Sequence, residues 1–208
     1  MKRFLVAICF AAVPVAAHAV IIPYASRAAF DAAFPGSVVE NWDGFAAGTV
    51  FPDGTTANGI TYTSSAGNAV VTNVFLTTTS PNGLGDTSAG FFASADTILF
   101  GFTNPRSAFG IDINTFASVS GAYTATTSGG DVVNSVFNPF PGASTGQFVG
   151  FSSDSPFSSI TIAAASGFTY TLDTLRATSA VPEPGSLALL GAALASIGFI
   201  RRRKKGGR

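Results

Sequence analysis

Side chains that commonly perform catalysis or bind transition metals are scarce in this chain of 208 residues. The only Cys is Cys9 and the only His is His18, and both precede the end of an A-x-A cleavage pattern at Ala19. Cleavage after Ala19 leaves a product without a thiol or an imidazole. That product forms no disulfide and has no Ser-His-Asp or Cys-His catalysis and no zinc site built on Cys or His. The chemistry that remains is that of carboxylate, hydroxyl, amide and guanidinium groups.

Carboxylates dominate the charged groups between the two ends of the chain. Residues 20–178 contain ten Asp and Glu, three Arg and no Lys, which gives this stretch a net charge of −7. Two carboxylates can hydrolyse a glycosidic bond, one as the acid and the other as the nucleophile or base. No spacing in the sequence singles out such a pair. The negative charge argues against nucleic-acid binding, which needs clustered cations.

The N-terminus has the three parts of a secretory signal peptide. Lys2 and Arg3 form a charged region, the apolar run 4–15 follows it, and Ala17 and Ala19 are the small residues of the cleavage site. The apolar run is too short to cross about 30 Å of hydrocarbon, which argues against a permanent membrane anchor. We therefore predict a signal peptide at residues 1–19 and export of the rest of the chain.

The C-terminus has an extended part, an apolar part and a basic part. A linker at 179–186 contains Pro182-Glu183-Pro184-Gly185, and it is followed by an apolar run at 187–200 and a basic tail at 201–208. The cationic tail resists translocation, so we expect it to stay cytoplasmic while the preceding domain lies outside. Fourteen residues at about 1.5 Å each span only about 21 Å, so the single membrane helix predicted at 187–200 is a marginal anchor. The prolines keep the backbone before the helix extended and accessible to an enzyme.

This tail resembles the PEP-CTERM sorting signal of Gram-negative surface proteins. Pro182, Glu183 and Pro184 match its motif residue by residue, Gly185 is a usual follower, and the resemblance covers residues 181–205. The segment is also known as the ice-binding protein C-terminal domain, a label that implies no contact with ice. The resemblance implies that an exosortase-type membrane peptidase cleaves near the motif, and that the protein reaches the cell surface or the exopolysaccharide matrix of a biofilm. An unprocessed single-pass anchor is the alternative.

Residues 20–178 have the length of one domain and a pattern of strands and turns. A short helix is predicted at 26–33, with Ser26 as its N-cap and Pro35-Gly36 after its end. Strand candidates with polar turns dominate the rest, without alternation of strands and helices, so we predict an all-β, two-sheet sandwich and specifically a jelly roll. The strands are predicted at 38–42, 60–63, 69–76, 97–102, 107–114, 122–127, 132–137, 147–152, 157–163 and 168–176.

The segment 147–175 resembles the C-terminal half of sandwich domains that are common in PEP-CTERM proteins and look like carbohydrate-binding jelly rolls. In such sandwiches an acidic residue after an early strand often meets one in the last strand at a calcium ion. Asp43 follows the first long predicted strand, and Asp173 interrupts the last one, where the apolar alternation breaks before Leu175 and predicts a β-bulge. Because calcium prefers oxygen ligands, Glu40, Asp43 and Asp173 are the candidate ligands of a structural calcium ion. The alternative is that they are solvated carboxylates at strand ends.

Aromatic side chains offer a second kind of candidate site. Trp42, Tyr62, Tyr123 and Tyr170 could stack on sugar rings through their apolar faces. Such a set is modest for a sugar-binding surface, and we expect each of the four to pack in the core instead.

Two functions from different classes follow from these observations. The first is an exported, exosortase-sorted protein of the cell surface or exopolysaccharide matrix, with a non-catalytic sandwich that contacts polysaccharide or contributes structure. The alternative is a secreted polysaccharide-processing enzyme, a glycosidase or lyase, that uses paired carboxylates. The sequence identifies no catalytic residues.

Overall fold

The computed structural model describes residues 19–115, 120–139, 146–165 and 167–179. These residues form one helix and 13 strands. The helix is α1 (Arg27–Ala33). The strands are β1 (Ile21–Pro23), β2 (Val38–Glu40), β3 (Val50–Phe51), β4 (Thr55–Ala57), β5 (Ile60–Ser64), β6 (Ala69–Thr72), β7 (Gly83–Asp86), β8 (Thr97–Thr115), β9 (Tyr123–Thr127), β10 (Val132–Asn134), β11 (Val136–Phe137), β12 (Gln147–Ala164) and β13 (Tyr170–Ser179).

Two long strands, β8 and β12, organise the fold because they pair antiparallel along most of their length. The pairing register shifts between Ser152 and Phe157, where the ribbon bends, so each strand contributes to two layers. The first half of β8 and the second half of β12 join β5 and β9 in the first layer. The other two halves join β13 in the second layer, and β13 also pairs with β2 and β7. The described strands thus form one antiparallel sheet folded into a sandwich.

The core lies between the two layers and is rich in aromatic side chains. The single Trp of the chain, Trp42, is fully buried, and its indole nitrogen donates a hydrogen bond to the Tyr62 hydroxyl at 3.1 Å. Tyr123 of the first layer and Tyr170 of the second meet edge to face, with ring centroids 5.3 Å apart. Aromatic burial of this kind supplies the apolar area that holds together a domain without Cys.

Helix α1 covers the outer face of the second layer. Its N-cap is Ser26, whose hydroxyl accepts a hydrogen bond from the Ala29 amide at 3.2 Å. Its one fully buried side chain, Phe30, packs on Phe148 and against Gly110 of β8, where a Cβ atom would lie 3.0 Å from the Phe30 ring. The close approach therefore depends on the absence of a side chain at position 110.

The all-β sandwich with one short helix near the N-terminus, predicted from the sequence, is confirmed. The strands predicted separately at 97–102 and 107–114 form the single strand β8, and those at 147–152 and 157–163 form β12. The exposed polar residues and prolines between them resemble turns in the sequence, but they lie at the bends of the ribbon while pairing continues on both sides.

Four short strands, β1, β3, β4 and β7, were not predicted because two to four residues are too few to show an alternating pattern. The hairpin of β4 and β5 has Asn58 and Gly59 at its tip with φ of 50° and 77°, which is the turn expected for that dipeptide. The predicted signal peptide up to position 18, the membrane helix at 187–200 and the basic tail at 201–208 lie outside the described residues. In the part of the chain that the structure describes, no helix has the length and apolarity needed to cross a membrane.

Candidate functional site

Two buried carboxylates face each other across adjacent strands of the second layer. Asp112 of β8 and Asp173 of β13 are directly opposite in the antiparallel register, and each residue is only 1% exposed. Opposite residues of such a pair project from the same side of the sheet. The neighbours Ile111 and Ile113 belong to the core, so the two carboxylates lie on the outer face beneath α1.

A β-bulge positions Asp173, as the sequence predicted. The register of β13 against β8 jumps from Asp173 to Arg176, and Thr174 in the bulge has φ of 47°. The bulge turns the Thr174 carbonyl out of the ladder, where it accepts a hydrogen bond from the Arg27 guanidinium. Both strands and the helix therefore contribute to one cluster.

The cluster contains two Arg and three Asp residues, and we call it the carboxylate cluster: Arg27, Asp31, Asp112, Asp173 and Arg176. Arg27 donates from Nε to Asp112 Oδ1 at 3.0 Å, and its guanidinium lies 4.8 Å from the centre of the Phe148 ring. Asp31 lies 3.2 Å from Arg176 and 3.7 Å from Arg27. These ion pairs attach α1 to the outer face of the sheet.

The Asp173 carboxylate accepts hydrogen bonds from two backbone amides and one hydroxyl. The amides of Thr79 and Thr174 each donate at 2.6 Å, and the Thr79 hydroxyl donates at 3.2 Å. Burial nevertheless raises the pKa of Asp173 to about 7, and the nearby Asp112 adds to the rise, while the Thr79 and Thr174 amides oppose it. Burial also raises the pKa of Asp112, although Arg27 opposes that change. Asp173 therefore holds its proton at a pH where exposed carboxyl groups have lost theirs.

The other two predicted calcium ligands lie at the end of β2 and after it. Glu40 accepts hydrogen bonds from the Trp42 amide at 2.8 Å and the Asn58 side chain at 2.7 Å. Asp43 accepts one from the Asn82 amide at 2.9 Å. Each carboxylate therefore has its own protein donors.

Asp43 and Asp173 hold opposite ends of the same short segment, Thr79 to Asn82. Glu40 stands opposite Leu175 in the β2–β13 register, on the far side of the bulge from Asp173. Within the described ranges, no three His, Cys, Asp or Glu side chains come together in a group that could hold a metal ion. Nothing in the structure tests calcium binding itself, which stays a prediction.

The aromatic candidates for sugar stacking are all in the core. Trp42, Tyr62, Tyr123 and Tyr170 are fully buried, as expected. Their rings are therefore not available to a sugar in this fold. The remaining tyrosine, Tyr24, packs edge to face on Phe30 at a centroid distance of 5.5 Å.

The sequence did not identify Asp112, Arg27, Asp31 or Arg176 as members of a site. Asp112 alternates with the core residues Ile111 and Ile113 and so lies on the polar face of its strand, but nothing in this alternation indicates that α1 covers that face. The arginines could have indicated the site, since two of the three Arg in residues 20–178 belong to the carboxylate cluster. When an acidic domain has only a few cations, those cations are expected to pair with buried carboxylates.

An open groove of about 380 Å³ lies beside the edge strand β3. Val50, Val70, Thr72, Val74 and Thr87 are among the residues that line it. Val74 is 77% exposed and Val50 43% exposed, so apolar surface faces solvent there. The volume falls in the range of small-ligand sites, which bury apolar groups next to a few polar ones.

The comparisons with known proteins concern the tail and the sandwich separately. Residues 180–204 match the PEP-CTERM protein-sorting motif. The chain is similar to the catalytic domain of a GH87 alpha-1,3-glucanase in complex with nigerose, with 13% identity and a TM-score of 0.39 over 64% of this chain and 28% of that one. A mutant of the family 29 carbohydrate-binding module CBM29-2 matches at 8% identity and a TM-score of 0.35 over 71% of this chain and 99% of the other.

A thermostable GH87 alpha-1,3-glucanase from Streptomyces thermodiastaticus matches at 10% identity and a TM-score of 0.38, over 67% of this chain and 29% of that one. The chain thus spans less than a third of the length of these glucanase chains. No curated protein sequence matches it. The sorting motif begins at the residue after β13, which ends at Ser179, and it includes the predicted Pro182, Glu183, Pro184 and Gly185. The chain is therefore an exported β-sandwich protein with a PEP-CTERM protein-sorting motif at residues 180–204.

Proposed function

We propose that this protein is a non-catalytic component of the cell surface or exopolysaccharide matrix, released to that location by an exosortase-type membrane peptidase. The observation that carries the proposal is the sorting motif at 180–204, directly after the last strand of the sandwich. The last strand that the structure describes ends at Ser179, so a cut near Pro182-Glu183-Pro184 removes none of the described strands. The domain can fold before processing and stay folded after it.

The membrane is a partner only before processing in this proposal. The apolar run 187–200 lies in the inner membrane, and the basic residues at 201–208 remain on the cytoplasmic side because cations resist translocation. A short anchor with prolines before it suits a segment that is held for a limited time and then cut. Nucleic acid is not a partner of so acidic a domain.

The carboxylate cluster supports a structural role for the sandwich. Among the described residues, Asp112 and Asp173 are the pair of carboxylates that the fold places directly opposite each other in a strand register, which favours the alternative of a glycosidase. Both residues are only 1% exposed, however, and Arg27 donates to Asp112 Oδ1 while Thr79 donates to Asp173 Oδ2. A substrate would have to displace α1 to reach them. We therefore favour the non-catalytic function.

Polysaccharide contact is the finer part of the proposal, and the groove beside β3 is where we expect it. The groove combines exposed valines with threonine hydroxyls, which suits the alternating apolar and hydroxyl surfaces of a sugar chain. A pull-down of the host's exopolysaccharide with the full-length protein tests this, with Val74→Asp as the groove variant and Val132→Asp, at another exposed valine on β10, as its matched control. Loss of binding in Val74→Asp alone supports the groove. Absence of binding by the wild type leaves a purely structural role.

The decisive experiment for the proposed function is mass spectrometry of both termini of the protein purified from its native host. We expect an N-terminus at Val20 and a C-terminus near Pro182-Glu183-Pro184. Replacing these three residues by Ala should leave the whole tail, including Arg208, on a membrane-bound product. A wild-type product that keeps Arg208 in the membrane would mean an unprocessed anchor. A cytosolic product that keeps His18 would overturn export.

Two further assays address the enzyme alternative and calcium. Release of reducing ends from the host's exopolysaccharide by the wild type, abolished in Asp173→Asn, would support a glycosidase and overturn the non-catalytic proposal.

Calcium is proposed at Glu40, Asp43 and Asp173, and thermal unfolding with and without a chelator tests it. A melting temperature several degrees higher with calcium supports the site, and identical melts remove it.

A further inference from the structure

The first residues after the predicted cleavage site form an ordered strand on the edge of β12. Ile21 and Ile22 pair with Ser153 and Ser152, and the Tyr24 amide donates to the Gly150 carbonyl at 2.8 Å. At the beginning of this pairing, the backbone nitrogen of Val20 donates a hydrogen bond to Asp154 Oδ1 at 2.8 Å. The Asp154 amide in turn donates to the Val20 carbonyl at 3.3 Å. Asp154 therefore contacts both backbone polar groups of Val20.

Signal-peptide cleavage would change the backbone nitrogen of Val20, which is the atom that donates to the Asp154 carboxylate. Hydrolysis adds water across the Ala19–Val20 peptide bond, which leaves a carboxylate on Ala19 and an amino group on Val20. At neutral pH most of that amino group carries a proton, because the pKa of an α-amino group is about 7.7–8.0. A neutral amide donor at 2.8 Å from a carboxylate would thereby become a cationic donor at the same position. The amide–carboxylate bond already has one ionised partner, and cleavage would add the second, which makes the contact an ion pair.

We propose that Asp154 is the binding site for the amino terminus of the mature protein, so that leader cleavage itself strengthens the attachment of β1 to β12. The inference rests on the part of the proposed function in which the leader is cut after Ala19. It assigns a role to an exposed carboxylate that is neither part of the carboxylate cluster nor a predicted calcium ligand. It also explains why the pairing with β12 starts at the first residues of the mature chain.

The charges around this terminus favour the pairing. Strand β1 has no charged residue, and Asp154 is the only one on β12. Asp131, which lines a groove of about 230 Å³ together with Ala19, is a further acid on this side and accepts a hydrogen bond from Thr127. The base that faces β12 is Arg106, opposite Phe157 in the register, and its guanidinium lies over the Phe102 ring at 5.6 Å. The new ammonium therefore contacts the Asp154 carboxylate, and the nearest base along β12 is directed at an aromatic ring.

The attachment has a consequence for the stability of the exported protein. An aminopeptidase needs a free terminus in an extended conformation, but Val20 would be held at both its nitrogen and its carbonyl oxygen. Strand β1 also covers part of the edge of β12, which would otherwise present unpaired amides and carbonyls. We therefore expect the mature terminus to resist trimming as long as Asp154 is present.

The test is a cycle of two changes in the chain that begins at Val20 and keeps its tail, purified in detergent. One change is Asp154→Asn, and the other is the retention of Ala19 with its amino group acetylated, which restores a neutral amide at the Val20 nitrogen and leaves no titrating amino terminus. The pKa of the Val20 amino group is measured by carbon-13 NMR of valine-labelled protein. We expect this pKa to be ~0.2–0.7 higher in the wild type than in the Asp154→Asn variant, as for an exposed ion pair.

Stability gives the second readout, and its sign follows from the raised pKa. The ammonium contributes fully at pH 6 and its contribution is lost as the pH rises through the pKa of the amino group, so wild type and Asp154→Asn should differ more at pH 6 than at pH 10. In chains that retain Ala19 the difference should be the same at both pH values. Equal amino-group pKa values in the wild type and the Asp154→Asn variant, or a pH-independent stability difference in the chain that begins at Val20, would overturn the inference.

The failure of the inference can be told apart from the failure of the proposed function. The test chain is made to begin at Val20 by a specific protease after purification, so the result does not depend on where the host cuts. Sequencing the N-terminus of the native product tests the cut separately. A host product that begins elsewhere would overturn the role of Asp154 in maturation, and a raised pKa in the test chain would still support the binding site itself.

Discussion

Replacement of Asp173 by Asn should remove a pH dependence from the stability of the domain. The folded state holds the Asp173 proton to about pH 7, whereas the unfolded chain releases it near the ordinary pKa of 3.8. A group with a raised pKa in the folded state contributes fully to stability at low pH, and its contribution declines as the pH rises through the folded-state pKa. The wild type should therefore lose stability between about pH 4 and pH 7, and Asp173→Asn should lack this part of the loss.

The magnitude follows from the interval between the two pKa values. Each pH unit inside that interval is worth about 1.4 kcal/mol, so the wild type should lose ~3 kcal/mol relative to Asp173→Asn between pH 4.5 and pH 8. The substitution has a second, constant effect, because Asp173 accepts the Thr79 and Thr174 amides on different oxygens and Asn has only one acceptor oxygen. That loss costs ~1–3 kcal/mol at every pH and does not alter the slope.

The chain contains its own probe for the assay. Trp42 is the only Trp and is fully buried, so its fluorescence reports unfolding of the core. Urea unfolding curves of the wild type and Asp173→Asn at pH 4.5, 6 and 8 give the free energies of unfolding. Asp53→Asn, at an exposed carboxylate, is the matched control and should keep the pH dependence of the wild type. If the free energies of unfolding of Asp173→Asn and the wild type change with pH in parallel, the reasoning that burial raises the pKa of Asp173 is refuted.

Two further substitutions test the carboxylate cluster and the packing of β7. Arg27→Met leaves Asp112 buried without its cation and should lower the free energy of unfolding by ~3–5 kcal/mol. The double variant Arg27→Met, Asp112→Leu should recover much of that loss. Equal stability of the wild type and Arg27→Met in urea unfolding would contradict a stabilising ion pair. Gly85→Ala places a Cβ atom 2.0 Å from the Gly90 carbonyl oxygen and should cost ~1–3 kcal/mol or more, while Gly36→Ala, with open space around it, should stay within ~0.5 kcal/mol of wild type in the same measurement.

The sequence was sufficient to predict the elements whose signal is local. The helix after Ser26 has a capping residue and a stop signal, and the turn at Asn58-Gly59 has the dipeptide that its φ values require. The bulge at Asp173 was visible because the alternation of β13 changes phase between Leu172 and Leu175. Each of these features depends on a few neighbouring residues, which is why pattern and propensity identified it.

The candidate site could be predicted only in part because it depends on contacts distant in the chain. Arg27 and Asp112 are 85 residues apart, and Arg27 and Thr174 are 147 apart. Alternation places Asp112 on the outer face of β8, but only the packing of α1 decides whether that face is exposed to solvent. The sequence shows a glycine at position 110 of the predicted strand, but it does not show that the Phe30 ring packs against that position.

Several carboxylates that make the sequence acidic do not contribute to an acidic surface. Glu40, Asp86, Asp112 and Asp173 are all buried, and three of them accept a backbone amide from a loop or bulge: Trp42 on Glu40, Ser88 on Asp86 and Thr79 on Asp173. Such bonds fix irregular backbone at the cost of burying charge, which is the role that disulfides often have in exported domains. Residues 20–178 contain no Cys, and their carboxylates are available for that role. The net charge of −7 is therefore partly internal, and the surface of the described sandwich is less anionic than the composition indicates.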